Sequence, residues 1–372
     1  MFQRIWLPGL LLQSVLIGGG YATGRELVEF FLTSGPVSGL LGMSVATVVF
    51  SIVCALSFEL ARMTRSYDYR SFFQQLLGRG WFVFELSYFV LGLLVLSVLG
   101  AAAGELAAAH LDMPKIAGIV ILMALIGLLV FWGTALIERV LAAWSFVLYA
   151  TYLIFLAYCL AQFGQNLAGG LPPEPAGSHW LGKGLMYAGY NVAAVPIILF
   201  CAKHLTCRRD AVTAGLLAGP LAMIPAALFY LAMATAYPAV LESPVPADFL
   251  MQRLDVSWLM PVFYIVVFGT LVETGTAFIH AVNQRIEPVF SRGRGAMPHW
   301  LRAAIAVAAL LLAIVLAGRI GLIDLIAKGY GTLTWVFMAV FILPLCTLGL
   351  WKVLAGTAVH PSPDRTADPD KM

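Results

Sequence analysis

Apolar stretches long enough to cross a lipid bilayer recur along nearly the whole chain, and this feature limits the fold more than any other. Of the 372 residues, 61% are hydrophobic and only 11% are charged, and the mean hydropathy is +0.91. Soluble domains carry about 25% charged residues. A helix of about 20 residues crosses a hydrocarbon core of about 30 Å. The sequence therefore predicts an all-α integral membrane protein.

Hydropathy predicts ten membrane spans. They cover residues 5–33, 37–61, 80–108, 115–132, 138–162, 181–202, 211–236, 258–283, 301–317 and 324–352. An N-terminal Arg4 followed by an apolar run can also imitate a secretory signal peptide. We favour a first span, because the chain continues directly into "ELVEFFLTSG" and removing this segment would leave an odd number of spans.

The positive charges predict the orientation. With the N-terminus in the cytoplasm, most of the 22 Lys and Arg residues fall in cytoplasmic loops and termini. The exceptions are Lys115, Lys183, Arg253 and Arg319 outside, with Arg25 and Lys328 inside spans. The positive-inside rule then predicts that both ends are cytoplasmic. The net charge of +3 reflects the basic residues of the cytoplasmic loops and termini. We therefore expect a lipid bilayer and no nucleic acid as partner.

Two spans are interrupted near their middle. The first contains "GGGYATGRE" (18–26), and the sixth reads "LMYAGYNVAAVPIILF" (185–200) with Gly189, Asn191 and Pro196. Glycine and interior proline lower helix stability by about 1 and 3 kcal/mol relative to alanine. Breaks at the first and sixth of ten spans predict two five-span halves of opposite orientation, an inverted repeat. The predicted parts are repeats at 1–165 and 181–352, an outer connection at 166–180, and a disordered cytoplasmic tail at 353–372.

The interruptions predict a binding site at the membrane midplane. Unwound backbone survives in a membrane only against protein or a hydrated cavity. Its carbonyls can bind cations, and the free N–H groups of the resumed helix can bind a carboxylate. The alternative is that Gly20 and Gly24 only allow close helix packing. The predicted substrate-binding residues are Gly18, Gly19, Gly20, Tyr21, Ala22, Thr23, Gly24, Tyr187, Gly189, Tyr190 and Asn191.

The motifs "IGGGYATGRELVEFF" (17–31), "YAGYNVAAVP" (187–196) and "ETGTAFIHAVNQRI" (273–286) resemble those of the YkvI-like bacterial membrane proteins. That family is grouped with the amino acid-polyamine-organocation superfamily. The resemblance, over residues 1–352, implies a LeuT-type fold in a bacterial inner membrane. It also implies a substrate held between the first, third, sixth, eighth and tenth helices. Hydroxyls on the eighth helix of such transporters join carbonyls of the first helix in a sodium site, which would match Thr270 and Thr274.

Charged residues inside spans give two further hypotheses. Glu273 lies near the middle of the eighth span on one polar stripe with Thr270, and we predict that it couples transport to H⁺ or Na⁺. Burial would favour its protonated form and a bound Na⁺ its ionised form. A structural, protonated glutamate is the alternative. Arg25 and Asp324 are predicted to form an outer gate, as similar transporters close with an Arg–Asp pair. The alternative is local pairing of Arg25 with Glu29 and of Asp324 with Lys328.

The remaining features exclude other classes. Five cysteines stand singly, and no zinc motif, nucleophile elbow or P-loop occurs, so we expect no metal, no cofactor beyond a coupling ion, and no enzyme. The sequence predicts a secondary active transporter of an amino acid or related small organic solute. A ligand-sensing receptor or a passive channel on the same fold is the alternative. The sequence does not determine the oligomeric state.

Overall fold

The computed structural model describes residues 1–132, 134–165, 179–294 and 299–356. Residues 166–178 of the predicted connection and 357–372 of the predicted tail lie outside the described residues. The described elements are helical, and they form a bundle of ten spans. Among the described residues, seven helices are long and apolar enough to cross a membrane, and three further apolar helical stretches, Leu7–Leu16, Lys115–Val130 and Val147–Phe163, accompany them. The predicted all-α membrane fold is confirmed.

The bounds of the ten spans follow the prediction closely. In chain order they are Leu7–Leu16 with Gly19–Ala22 and Arg25–Phe30, then Pro36–Thr64, Trp81–Leu111, Lys115–Trp132, Thr134–Phe163, Trp180–Asn191 with Val192–His204, Arg208–Ala234, Leu259–Arg294, His299–Ile320 and Leu322–Ala355. The eighth span continues beyond the predicted end at 283, to Arg294. We call the side of the bundle that carries residue 1 the inner side.

Short helices lie between the spans. They are Phe2–Ile5, Leu32–Ser34, Tyr69–Leu77, Gly78–Gly80, Ala239–Glu242 and Pro246–Leu254. The helix Tyr69–Leu77 begins at Asp68, whose carboxylate accepts a hydrogen bond from the amide of Ser71 at 2.9 Å, a standard N-cap. The helix Pro246–Leu254, which we call the outer loop helix, begins with a proline, whose missing N–H costs nothing in a first turn.

Large apolar side chains cover the outside of the bundle, and small residues fill the contacts between its helices. Leu86, Ile265 and Leu354 are each more than 60% exposed, as expected for side chains that face lipid. The second and seventh spans approach most closely at Gly215 and Gly219, and Ser51 donates a hydrogen bond across this contact to the carbonyl of Leu216 at 2.9 Å. Small residues permit this approach, as is typical of helix pairs in membranes.

We predict that Gly215→Ala destabilises the protein, because the added methyl group would overlap with the backbone of Ala55 in the second span. Overpacking of this kind costs about 1–3 kcal/mol. Gly182→Ala is the matched control, since a Cβ there meets no atom within 4 Å. Alanine normally favours a helix over glycine by about 1 kcal/mol. The midpoint of thermal unfolding in detergent should fall for Gly215→Ala and stay or rise for the control; equal shifts would contradict the packing argument.

Candidate functional site

The first span is interrupted twice within the bundle. Its inner part, Leu7–Leu16, ends at Ile17, and Gly18 has an extended backbone with φ −104° and ψ −173°. One helical turn, Gly19–Ala22, follows. Gly24 then adopts a left-handed conformation with φ 76°, which favours glycine, and the outer part of the span resumes at Arg25. The sequence "GGGYATG" therefore folds as an extended residue, a turn and a left-handed residue.

Side chains and a loop amide satisfy the carbonyl groups that these interruptions free. Thr23 donates its hydroxyl hydrogen to the carbonyl of Gly20 at 2.7 Å, and Tyr152 of the fifth span donates to the carbonyl of Ala22. The amide of Ala247, in the outer loop helix, donates to the carbonyl of Thr23 at 3.0 Å. An unpaired polar backbone group inside a membrane costs several kcal/mol, so these contacts stabilise the interrupted conformation.

The sixth span changes its winding and does not become extended. It is α-helical over Trp180–Asn191 and continues as a 3₁₀-helix over Val192–His204, with Pro196 inside this second part. Runs of 3₁₀-helix longer than four residues are uncommon and often mark a functional hinge. At the transition the side-chain amide nitrogen of Asn191, Nδ2, donates to the backbone carbonyl of Tyr187 at 3.1 Å. The predicted discontinuity is thus present, in the form of a tighter helix after Asn191.

A cavity of about 100 Å³ lies between the two discontinuities. Residues of the first, third, sixth, eighth and tenth spans line it. They are Val15, Leu16, Gly18, Gly20, Tyr21, Glu26, Tyr88, Leu91, Val95, Tyr190, Asn191, Ala193, Ala194, Ile197, Thr274, Phe278 and Tyr330. These are the five helices that the family resemblance implied. Tyr330 ends a π-helical segment, Leu325–Tyr330, of the tenth span.

The carboxyl group of Glu26 is the charged group of this cavity that sequence analysis missed. Glu26 is 7% exposed, and Tyr190 donates a hydrogen bond to its Oε2 at 2.6 Å. Its Oε1 lies directly against Gly20, where a side chain could not fit. Side chains on a helix point toward its N-terminus, so a glutamate at the start of Arg25–Phe30 reaches back over the break. That direction was the available sequence clue.

The cavity is closed on the outer side and extends toward the inner side. The rings of Tyr190 and Tyr330 stack at 4.4 Å with an interplanar angle of 16° and cover its outer end. Val15 and Ile197, both 38% exposed, and Phe278 line its inner end, on the inner halves of their spans. The tyrosines at its outer end are thus almost fully buried, whereas Val15 and Ile197 at its inner end are partly exposed.

The predicted substrate-binding residues divide into two groups. Gly18, Gly20, Tyr21, Tyr190 and Asn191 line the cavity. The hydroxyl of Tyr21 is buried and has no hydrogen-bond partner among the described residues.

The other predicted residues shape the walls. Gly19 starts the helical turn Gly19–Ala22, and Gly24 supplies the left-handed conformation. The carbonyls of Ala22 and Thr23 bind Tyr152 and Ala247, as described above. Tyr187 packs among aromatic rings, at 4.8 Å from Phe31, and Gly189 lies against the side chain of Thr334. Ala22, Thr23, Gly24, Tyr187 and Gly189 therefore position the site without lining it.

The predicted coupling residues on the eighth span occupy different surroundings. Thr274 lines the cavity, and its side chain faces Gly18 at the first break. The hydroxyl of Thr270 donates to the carbonyl of Val266 at 2.8 Å and accepts from the indole N–H of Trp144 at 3.4 Å. Glu273 is half-buried and close enough to Tyr149 of the fifth span to interact electrostatically. Thr274 is thus nearest to the first-helix backbone, and the coupling role of all three stays a prediction.

The predicted pairing of Arg25 with Asp324 is not formed in this conformation. Arg25 is buried, and its guanidinium binds Glu29 at 2.7 Å. The same guanidinium donates to the carbonyls of Leu241 and Ser243 at 2.8 and 3.1 Å. Asp324 lies 3.1 Å from Lys328, and both are largely exposed. The local pairs are observed because each partner lies one helical turn away, whereas the loop before the outer loop helix occupies the donors of Arg25.

Comparison with known proteins supports the fold. No family model matches the chain, and no curated protein matches its sequence. Among solved structures, the chain is similar to the Eremococcus coleocola manganese transporter (mutant H236A), with 16% identity, a TM-score of 0.53, and coverage of 94% of this chain and 82% of that chain. It is also similar to the inward-facing conformation of Mhp1, with 15% identity, a TM-score of 0.54, and coverage of 90% and 76%.

Identities this low show the fold alone. The chain has the LeuT-type fold that the family resemblance implied. The resemblance to YkvI-like proteins stays a prediction.

We predict that Gly20→Ala destabilises the protein through Glu26. The new methyl group would overlap with Oε1 of Glu26 and displace its carboxyl group from Tyr190. Removing the carboxyl group as well, in Gly20→Ala/Glu26→Ala, should relieve the overlap. The thermal unfolding midpoints of the two single variants and the double variant should then be non-additive, with an interaction energy of about 0.5–3 kcal/mol. Additive shifts would show that the two residues do not meet.

Two further double-mutant cycles test the partners of Arg25. The shifts caused by Arg25→Ala and Glu29→Ala should be coupled, because the two side chains share a buried ion pair. The shifts caused by Arg25→Ala and Asp324→Ala should add, because Asp324 pairs with Lys328. Both cycles are measured as thermal unfolding of the detergent-purified protein. Coupling between Arg25 and Asp324, with none between Arg25 and Glu29, would restore the predicted Arg25–Asp324 pair.

Proposed function

We propose that the chain is a secondary active transporter of an amino acid or a related small organic solute, working by alternating access and coupled to Na⁺ or H⁺. One observation carries this proposal. The cavity lies at both helix discontinuities, and the tyrosines at its outer end are almost fully buried while Val15 and Ile197 at its inner end are exposed. Such a site, accessible from one side at a time, is what alternating access requires.

The contacts that close the outer side of the cavity can break without unfolding any of the membrane-spanning helices. Arg25 binds two loop carbonyls, the outer loop helix binds the carbonyl of Thr23, and Lys183 donates to the carbonyl of Glu29 at 3.1 Å. All are hydrogen bonds between short segments, and each can exchange for water. Movement of the outer part of the first span away from the loop would release them together and expose the stacked tyrosines.

The similar structures support transport more than they support a particular solute. One is described as a manganese transporter. Within the described residues of this chain, no group of three or more His, Cys, Asp or Glu could hold a metal ion. The lining of the cavity is mostly apolar and aromatic, which suits an organic solute better than a metal ion. The neighbours are transporters, which agrees with the expectation that the chain is not an enzyme.

We further propose that the protein resides in a bacterial inner membrane with both termini in the cytoplasm. The excess of Lys and Arg in loops on the inner side supports this orientation. The inner side would then be cytoplasmic, and the described conformation would be the one that exchanges solute with the cytoplasm.

Gradient-driven uptake into proteoliposomes tests the proposed function. The purified protein is reconstituted, and uptake of radiolabelled amino acids and small amines is measured with an inward Na⁺ gradient, a pH gradient, or neither. Accumulation above the equilibrium level with one gradient supports a coupled transporter. Flux that only equilibrates supports a channel, and binding without flux supports a receptor.

We predict that Glu273→Gln abolishes gradient-driven accumulation while leaving the protein folded. The amide has nearly the same shape but can neither release a proton nor keep a negative charge for Na⁺. Glu105→Gln is the control, since Glu105 binds Lys115 near the outer end of the third span. Accumulation should be lost in the first variant and kept in the second. Normal accumulation by Glu273→Gln would assign the residue a structural role.

A further inference from the structure

The cavity carries information about the charge of the solute. We propose that Glu26 is the solute-binding carboxylate and that the solute is a small amine with a single positive charge and no carboxylate. This inference rests on the proposed function, whose solute class it narrows.

Glu26 is an acidic group without a basic partner in the cavity. Its one hydrogen bond among the described residues comes from Tyr190, at 2.6 Å on Oε2. Among the residues that the structure describes, the lining contains no Lys, Arg or His. The adjacent Arg25 points away, toward Glu29 and the loop carbonyls. An ionised carboxylate buried without a cation is costly, and a bound ammonium group would offset that cost.

The aromatic lining suits a cation. Tyr21, Tyr88, Tyr190, Tyr330 and Phe278 all line the cavity. A cation within about 6 Å of an aromatic face is attracted to it, more strongly when desolvated. Aromatic rings around a carboxylate therefore suit an ammonium group, whereas metal ions take several oxygen, nitrogen or sulfur ligands.

One further polar group in the lining can hydrogen-bond an ammonium group besides Glu26. The side chain of Asn191 uses its amide nitrogen to bind the carbonyl of Tyr187, which leaves its amide oxygen as an acceptor for an N–H group.

Size and charge count limit the amine further. The cavity measures about 100 Å³. An engineered cavity of about 150 Å³ binds benzene, so the solute is about that size or smaller. One carboxylate in the lining matches one positive charge, which disfavours a polyamine. Without a cationic side chain in the lining, the carboxylate of an amino acid would lie near Glu26 with nothing to neutralise it.

Three compounds that share an isobutyl carbon skeleton distinguish binding of an amine from binding of a neutral hydroxyl and of an amino acid. Isobutylamine has the amine, isobutanol replaces it with a neutral hydroxyl, and valine adds a carboxylate to it. Binding of each to the detergent-purified protein is measured by isothermal titration calorimetry at a fixed pH. We expect isobutylamine to bind at least ten-fold more tightly than either of the others. Equal or tighter binding of valine or isobutanol, or no binding of isobutylamine, would overturn the proposal.

Variants then test the assignment to Glu26. Glu26→Gln should weaken isobutylamine binding at least ten-fold, while Glu105→Gln, outside the cavity, should leave it unchanged. Unchanged binding by a folded Glu26→Gln would overturn the assignment. If that variant does not fold, Glu26→Asp keeps the charge one methylene further away and should retain the preference for the amine over the alcohol with weaker affinity; loss of the preference would also overturn it.

Failure of this inference is distinguishable from failure of the proposed function. If the amine does not bind but another solute accumulates in proteoliposomes under a gradient, transport stands and the amine class falls. If the amine binds through Glu26 but no gradient drives its accumulation, the binding site stands and the transport function falls.

Discussion

The structure depends on one constraint, that backbone polar groups inside a membrane need partners. The first span is interrupted at Gly18 and Gly24, and the freed carbonyls of Gly20, Ala22 and Thr23 are bound by a threonine, a tyrosine and a loop amide. Each partner belongs to a different part of the chain. The interruption is therefore stable only in the assembled bundle, and it draws the fifth span and the outer loop helix to the site.

The site follows from that interruption. Because the helix restarts at Arg25, the side chain of Glu26 in its first turn points back over the break and meets Gly20 there. The tyrosines of the sixth and tenth spans cover the same position from the outer side. A single local feature thus brings together a carboxylate and an aromatic wall around one small cavity.

Much of the fold could be predicted from the sequence, because membrane spans are defined by local composition. The ten spans overlap the predicted ranges, and both discontinuities occur where Gly, Asn and Pro interrupt apolar runs. Within the site, Gly18, Gly20, Tyr21, Tyr190, Asn191 and Thr274 were predicted and line the cavity. The predicted Arg25–Asp324 pair was not formed, since pairing across helices depends on the conformation and on loop positions that hydropathy does not report.

The sequence by itself determined that the protein spans a membrane, how many spans it has and where two of them are interrupted. These follow from hydrophobicity, helix length and backbone propensity, which are local properties. Only the tertiary structure decided that Glu26 faces the cavity while Arg25 faces the loop, and that Tyr187 packs in a wall while Tyr190 binds the carboxylate. Adjacent residues on a helix point about 100° apart, so the rotation of each helix within the bundle selects which of them reaches the site.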